Sequence, residues 1–298
     1  MKKSFLLVFL CMLASVLPAQ KKMYVWQGNT PVEFEVLTVD SVTFADALPT
    51  PVPAEPVFSV SADKQVQFST GNLQYTQSTQ TWSFADRQYE MLGKANVADG
   101  ALADKIDLFG WSGSKGTAKW GISISKSSAD YSGDFADWGQ NIGDGTTWRT
   151  LTNDEWKYLL NTRANASALK GVARINLNAD GSEYVNGLIL LPDNWTAPEG
   201  VTFKSGFASE ISVQAYADYQ TFTLEEWQTL ESAGAVFLPV SGERIGSNVY
   251  YVQDRGYYWS ATYYDRYDAY YLYFNSDDAY TNYDYRYGGR AVRLVQDL

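Results

Sequence analysis

The chain has 298 residues, with 23 Lys and Arg against 34 Asp and Glu, a net charge of −11. It has no histidine and one cysteine, Cys11, so no Ser-His-Asp triad, Cys-His pair or histidine-held zinc or haem can be assembled. The acidic balance argues against nucleic acid as a partner, because phosphate binding rests on Lys and Arg. With 45% apolar and only 19% charged residues, the chain reads as globular.

Met1-Lys2-Lys3 is a basic start, Ser4 to Leu17 is apolar, and Pro18-Ala19-Gln20 supplies small residues. This order reads as a secretory signal peptide over residues 1–20. The apolar run is short for a membrane span, and no later run approaches one. Val8-Phe9-Leu10 before Cys11 lacks the small residues of a lipoprotein site. Loss of 1–20 removes Lys2, Lys3 and Cys11, leaving 21 basic and 34 acidic residues, net −13, and no thiol. The exported chain then depends on a hydrophobic core rather than on disulfides.

Residues 21–48 are expected to form a small β segment. Met23 to Trp26 is one strand, Gly28-Asn29 a turn, Val32 to Val36 a second strand and Val39 to Phe44 a third. Residues 49–56 hold Pro49, Pro51, Pro53 and Pro56 and read as an extended spacer. Residues 57–298 read as one domain of α+β class, with short antiparallel strands and two short helices. Thr152-Asn153-Asp154-Glu155 and Thr223-Leu224-Glu225-Glu226 are capping boxes that open those helices. Trp156, Leu159 and Leu160 fall on one face of the first, and Leu224, Trp227 and Leu230 on one face of the second. Val57–Val60, Val66–Phe68, Gly187–Leu191 and Ala235–Val240 are strand candidates, and 110–116 and 139–145 are Gly-rich connections.

The last forty residues are the most informative. Between Tyr257 and Tyr287 stand twelve tyrosines, interleaved with five aspartates, two asparagines and two arginines, Arg266 and Arg286. Strand alternation in Tyr271-Leu272-Tyr273-Phe274-Asn275 turns Leu272 and Phe274 to a core, and Tyr271, Tyr273 and Asn275 to an open face. Trp259, Ala261, Val292 and Leu294 are the matching core anchors. The open face has the composition of a paratope: tyrosine gives contact area at low entropy cost, and Asp, Asn and Arg give hydrogen bonds. The candidate ligand-binding residues are Tyr263, Tyr264, Asp265, Arg266, Tyr267, Asp268, Tyr270, Tyr271, Tyr273, Asn275, Asp277, Asp278, Tyr280, Asn282, Tyr283, Asp284, Tyr285 and Tyr287. The expected partner is a protein or a glycan.

Several strings carry a family resemblance over about residues 57–298. Trp148-Arg149-Thr150-Leu151-Thr152-Asn153-Asp154-Glu155-Trp156-Lys157-Tyr158 resembles the helix-opening motif of the formylglycine-generating-enzyme-like branch of the C-type lectin fold. Gly289-Arg290-Ala291-Val292-Arg293-Leu294-Val295-Gln296-Asp297 resembles that branch's terminal strand. Gly187 to Trp195, Gly234 to Pro239 and Gly256 to Thr262 resemble its secreted bacterial subgroup of fibrobacter-type major paralogous-domain proteins. The Tyr/Asp/Asn-rich region, about 257–295, is similar to the variable region of proteins diversified by retroelements. The resemblance implies a tolerant scaffold whose Tyr263–Tyr287 side chains meet a ligand. Asn, Asp and Tyr codons differ at one first base, so mutation of adenines would produce this mixture.

The enzyme of that branch depends on active-site cysteines; the mature chain has none, and Leu294 stands where the terminal motif has cysteine, so this activity is not expected. Calcium-dependent sugar binding would need a Glu-Pro-Asn or Gln-Pro-Asp triplet, and neither is present. Asp154, Glu155, Glu225 and Glu226 could pair as glycosidase acids, but their place in first helical turns makes them caps. Asp277-Asp278 lacks the spaced partners of a cation site, and no Walker-type loop is present. No metal and no cofactor are expected. A carbohydrate-binding module, a carboxylate hydrolase and a structural cell-surface protein are the rival readings.

Overall fold

The computed structural model describes residues 22–27, 30–35, 55–143 and 147–298. The expected signal peptide, the Gly28-Asn29 turn, the third strand at 39–44, the spacer at 49–54 and positions 144–145 lie outside the described residues. The chain divides into two units, Met1–Val52 and Pro53–Leu298. In the first, strands β1 (Lys22–Gln27) and β2 (Thr30–Glu35) pair antiparallel, Val25 opposite Val32.

The second unit is of α+β class, with many short strands and few helices. In chain order come β3 (Phe58–Ser59), β4 (Gln65–Phe68), β5 (Leu73–Thr76), β6 (Thr81–Phe84), β7 (Val97–Ala98), β8 (Ala101–Leu102), β9 (Lys105–Ile106) and β10 (Trp148–Thr150). Helix α1 (Asn153–Lys157), β11 (Lys170–Asn176), β12 (Tyr184–Leu190), α2 (Val213–Tyr219), β13 (Thr221–Thr223), α3 (Leu224–Ser232) and β14 (Val236–Pro239) follow. The chain ends with β15 (Glu243–Ile245), β16 (Asn248–Tyr250), β17 (Gly256–Tyr263), β18 (Asp268–Phe274), β19 (Ala279–Tyr285) and β20 (Leu294–Asp297). The larger sheets have the orders β10-β20-β4-β3, β13-β11-β12-β14 and β17-β18-β19.

Both capping boxes form. The Glu155 amide donates to Thr152 Oγ1 at 3.2 Å, and the Thr152 amide returns a bond to Glu155 Oε2 at 2.8 Å. Thr223 and Glu226 repeat the exchange at 3.2 and 2.7 Å. Helix α1 runs on into one wide turn, Tyr158–Thr162, and buries Trp156, Leu159 and Leu160. Arg149 ties this helix start to the C-terminus: its guanidinium bonds Glu155 Oε2 at 2.8 Å and Asp297 Oδ1 at 2.6 Å. Burial pushes the Glu155 carboxyl up, but hydrogen bonds from Arg149 and the Thr152 amide, with the charges of Arg149 and Lys64, hold it below its usual range.

In the β17-β18-β19 sheet, β17 and β18 form an internal wall, with β19 at its edge. On one side Tyr258, Leu272, Phe274 and Ala279 join the main core with Trp156, Leu159 and Leu160. On the other side Tyr257, Trp259, Ala269 and Tyr271 join a second core with Trp111, Trp138, Val292 and Leu294. The outer flank of β17 is also covered, since the Trp259 amide donates to Ala291 O and the Ala291 amide to Tyr257 O, both at 3.0 Å. Gly256 faces Phe274 across the β17–β18 pair, and a Cβ there would stand 2.1 Å from the ring carbon Cζ. Glycine is needed at that point because the ring occupies the missing side chain's place.

Gly256 and buried Asp107 each have a measurable consequence. Gly256→Ala lowers stability by about 1–3 kcal/mol in urea unfolding, and Phe274→Leu in the same chain recovers part of the loss; equal stability of Gly256→Ala and wild type would show that the ring contact is not tight. Buried Asp107, held by the Leu92 amide and Asn96 Nδ2, is the second case. Burial is the main cause raising its pKa from 3.8 to about 6, assisted by Glu90 and opposed by those hydrogen bonds. A raised carboxyl favours the folded state below about pH 4, and that contribution is lost as pH rises through about 6. Wild type should therefore lose on the order of 2 kcal/mol relative to Asp107→Asn between pH 4 and 7. A pH-independent difference between the two would remove the assignment.

Candidate ligand-binding surface

Strand β19 is the outer strand of its sheet, and the β17–β18 turn projects beside it. The twelve C-terminal tyrosines divide by position. Tyr263, Tyr264, Tyr267, Tyr280, Tyr283 and Tyr285 are exposed, at 41–59%. Tyr270, Tyr273 and Tyr287 are half-buried, and Tyr257, Tyr258 and Tyr271 are buried. All six exposed rings lie at the end of β17, in the following turn or on β19.

The expected open face over Tyr271, Tyr273 and Asn275 is packed rather than open. Tyr271 is 5% and Asn275 4% exposed, and Tyr273 is half-buried. Alternation along β18 does separate two faces, but both are packed, so wetness is set by the edge of the sheet rather than by its faces. The Tyr271 ring lies under the Arg290 guanidinium at 3.6 Å and edge-on to Trp259. Burial pushes the Tyr271 phenol up to about 12, against the pull of Arg290. Arg286, expected as a forked surface donor, is 3% exposed. Its nitrogens donate to the carbonyls of Tyr131, Gly133, Asp265 and Asp268, and its plane rests 4.4 Å from Trp111.

The outward rings form three groups, one of them the Tyr285–Tyr287 stack at 5.0 Å. Tyr264 stacks on Tyr283 at 3.8 Å and 12°, and Tyr270 stands edge-on to both. Hydrogen bonding to Tyr283, and the neighbouring charges, hold the Tyr264 phenol above its usual range. Lys157 Nζ lies 5.8 Å from the Tyr270 ring. On the other side, ring contacts of 5.1–6.4 Å run from Tyr250 through Tyr251, Tyr257 and Tyr273 to Tyr280. Tyr250 and Tyr251 were not among the sequence candidates, because they precede the tyrosine-rich run; the Tyr250-Tyr251 pair was the available signal. Tyr251 sits at φ 58°, in the left-handed region. Its carbonyl accepts from the amides of Asp254 and Arg255, both at 3.0 Å, and the Arg255 guanidinium lies 4.3 Å from its ring.

The short acidic and amide side chains do a different job. Asp265 Oδ1 accepts from the amides of Tyr267 and Asp268, and Asn275 Oδ1 from those of Asp277 and Asp278. Asp278, Asn282 and Asp284 each accept from the next amide in the chain, at 2.7, 2.9 and 2.7 Å. Five of the seven Asp and Asn residues thus hold adjacent backbone. Asp284 Oδ2 also meets Arg290 at 2.8 Å. Asp277 is exposed, and Asp268 Oδ1 is enclosed without a hydrogen-bond partner. Burial, with Asp265 and Asp284 nearby, raises the Asp268 carboxyl. Arg266 is exposed and lies 4.4 Å from the Tyr267 ring.

Arg290 anchors the whole surface. It is fully buried, donates to Glu243 Oε1 at 3.0 and 2.6 Å and to Asp284, and faces Trp259 at 4.4 Å. Burial alone would lower its pKa, but Glu243, Tyr271 and Asp284 raise it. Among the described residues no group of Asp, Glu and Cys is placed to hold a metal ion, and no helix is long and apolar enough to cross a membrane. No protein-family model matches the chain, and no curated protein and no solved structure matches it either.

Arg290→Met should lower stability by about 3–5 kcal/mol, since it leaves the buried Glu243 carboxylate unpaired. Urea unfolding measures it, and a loss below about 1 kcal/mol would mean that the guanidinium is not the anchor.

Proposed function

We propose that the chain is an exported, non-enzymatic binding protein. It recognises a protein or glycan through the tyrosines of the β17–β18 turn and of β19. The observation that carries this reading is the division of labour among the tyrosines. Three are buried on a rigid wall, while six stand in water along one turn and one edge. Single exposed aromatics are ordinary, but a contiguous group is the mark of a contact surface. The rings form the contact area, and the Asp and Asn side chains keep the backbone beneath them fixed, which lowers the entropy lost on binding.

A C-type-lectin-like fold with a retroelement-diversified region belongs to the same proposal. Its support is that the two strings carrying the resemblance meet: Arg149 of the helix-opening string bonds Asp297 of the terminal one. Strand β4, near the start of the domain, also pairs antiparallel with terminal β20. Export follows from the basic, apolar and small-residue order of the first twenty positions.

The test is Tyr264→Ser with Tyr283→Ser and Tyr285→Ser in one chain, assayed on a panel of cell-surface proteins and glycans. Surface positions predict a melting transition within about 0.5 kcal/mol of wild type per site. Saturable binding should fall by about 100-fold or more. Unaltered binding would place recognition elsewhere on the protein. For diversification, the coding DNA should have a nearby near-copy of the C-terminal segment, differing at adenines, beside a reverse transcriptase gene. A genome with neither removes that part.

A further inference from the structure

The exposed turn and edge are unbalanced in charge. Asp265, Asp268, Asp277, Asp278 and Asp284 reach the surface wholly or in part, and between Tyr263 and Tyr287 only Arg266 does so as a cation. The other arginine of that stretch, Arg286, is turned inward onto backbone carbonyls. Arg266 lies over its neighbour Tyr267. The protein repeatedly sets cations on the rings of this region: Lys157 at Tyr270, Arg290 at Tyr271 and Arg255 at Tyr251. No cation of the described residues lies over the stacked Tyr264 and Tyr283 rings, which are 43% and 45% exposed. Next to Tyr264 in the chain, the Asp265 carboxylate is exposed, and its Oδ1 accepts from the turn amides of Tyr267 and Asp268.

We propose that the Tyr264–Tyr283 stack, with the carboxylate of Asp265, receives an arginine side chain from a basic partner protein. This rests on the binding reading above and names the chemistry of its partner. A guanidinium is flat and weakly hydrated, so it lies on an aromatic face while its forked N–H groups reach a carboxylate. The ammonium of lysine is a compact, strongly hydrated charge and uses the same surface less well. The chain's net charge of −11 steers a basic partner toward it and repels anionic glycans and nucleic acid. A neutral glycan leaves the surplus carboxylates without a counterpart.

The probe is a fluorescently labelled octa-arginine peptide, titrated into the full chain at physiological salt beside octa-lysine. Tyr264→Leu with Tyr283→Leu changes no charge and should weaken octa-arginine binding about tenfold or more. Asp265→Asn, nearly isosteric and still able to accept from the turn amides, should weaken it and narrow the preference over octa-lysine. Asp86→Asn with Glu199→Gln removes two exposed negative charges outside this surface and should change affinity less than about threefold. Three results would overturn the proposal: no saturable octa-arginine binding, no effect of the two leucines, or an equal loss in the Asp86/Glu199 chain. If the leucine chain unfolds, Asp265→Asn decides alone, and unchanged binding there overturns it. Should octa-arginine fail while the triple serine chain loses a ligand found by the panel, the arginine proposal falls and the binding reading stands.

Discussion

A guanidinium sealed from water is the fixed point of this molecule. Arg290 holds β15 through Glu243, β19 through Asp284, and the rings of Trp259 and Tyr271 on β17 and β18. Removing such a cation from water costs several kcal/mol, and only close carboxylates and oriented rings offset it. The arrangement is therefore intolerant of small shifts, which gives it positional precision. Arg244, Arg286 and Arg293 extend the principle: all are buried, and their N–H groups go chiefly to backbone carbonyls from distant parts of the chain. Burial lowers the Arg293 pKa to about 10, which still leaves it charged at neutral pH. The stretch from Arg286 to Arg293 is thus wired into the interior on several sides, directly after the strand that carries the outward tyrosines.

Tyrosine has two uses here, set by depth. Tyr258 is enclosed, and its hydroxyl donates to Pro239 O at 2.8 Å while accepting from Asn72 at 3.1 Å. Tyr271 carries a cation on its face. Tyr264, Tyr283 and Tyr285 have no such obligation to the core. A ring that packs only on other surface rings can be exchanged without disturbing what lies beneath. The rigid wall and the replaceable fringe are built from the same residue type, distinguished by their place relative to the sheet edge.

Much of this was legible in the sequence. The two capping boxes named their helices because the signal is local, a hydroxyl and a carboxylate three residues apart. The core roles of Leu272, Phe274, Trp259, Val292 and Leu294 followed from alternation and apolarity. Tyr271 and Asn275 were misplaced because a period of two separates faces without saying which is wet, and a tyrosine satisfies either condition. The Asp and Asn side chains read as ligand contacts, yet most bond the next amides, a choice that depends on backbone direction. Arg286 and Arg290 could not be seen as buried, since their partners come from positions as far off as Tyr131 and Glu243. Tyr250 and Tyr251 lay outside the compositional run and joined the surface through folding alone.

The outermost strand has one more consequence. Unsatisfied main-chain donors along a sheet margin recruit further strands and lead to fibres. At Ala279, Tyr283 and Tyr285 those donors are already engaged by the side chain of the preceding residue. A margin furnished in this way resists templating by its own kind. It can therefore carry adhesive aromatic groups at high local density while the protein stays dispersed.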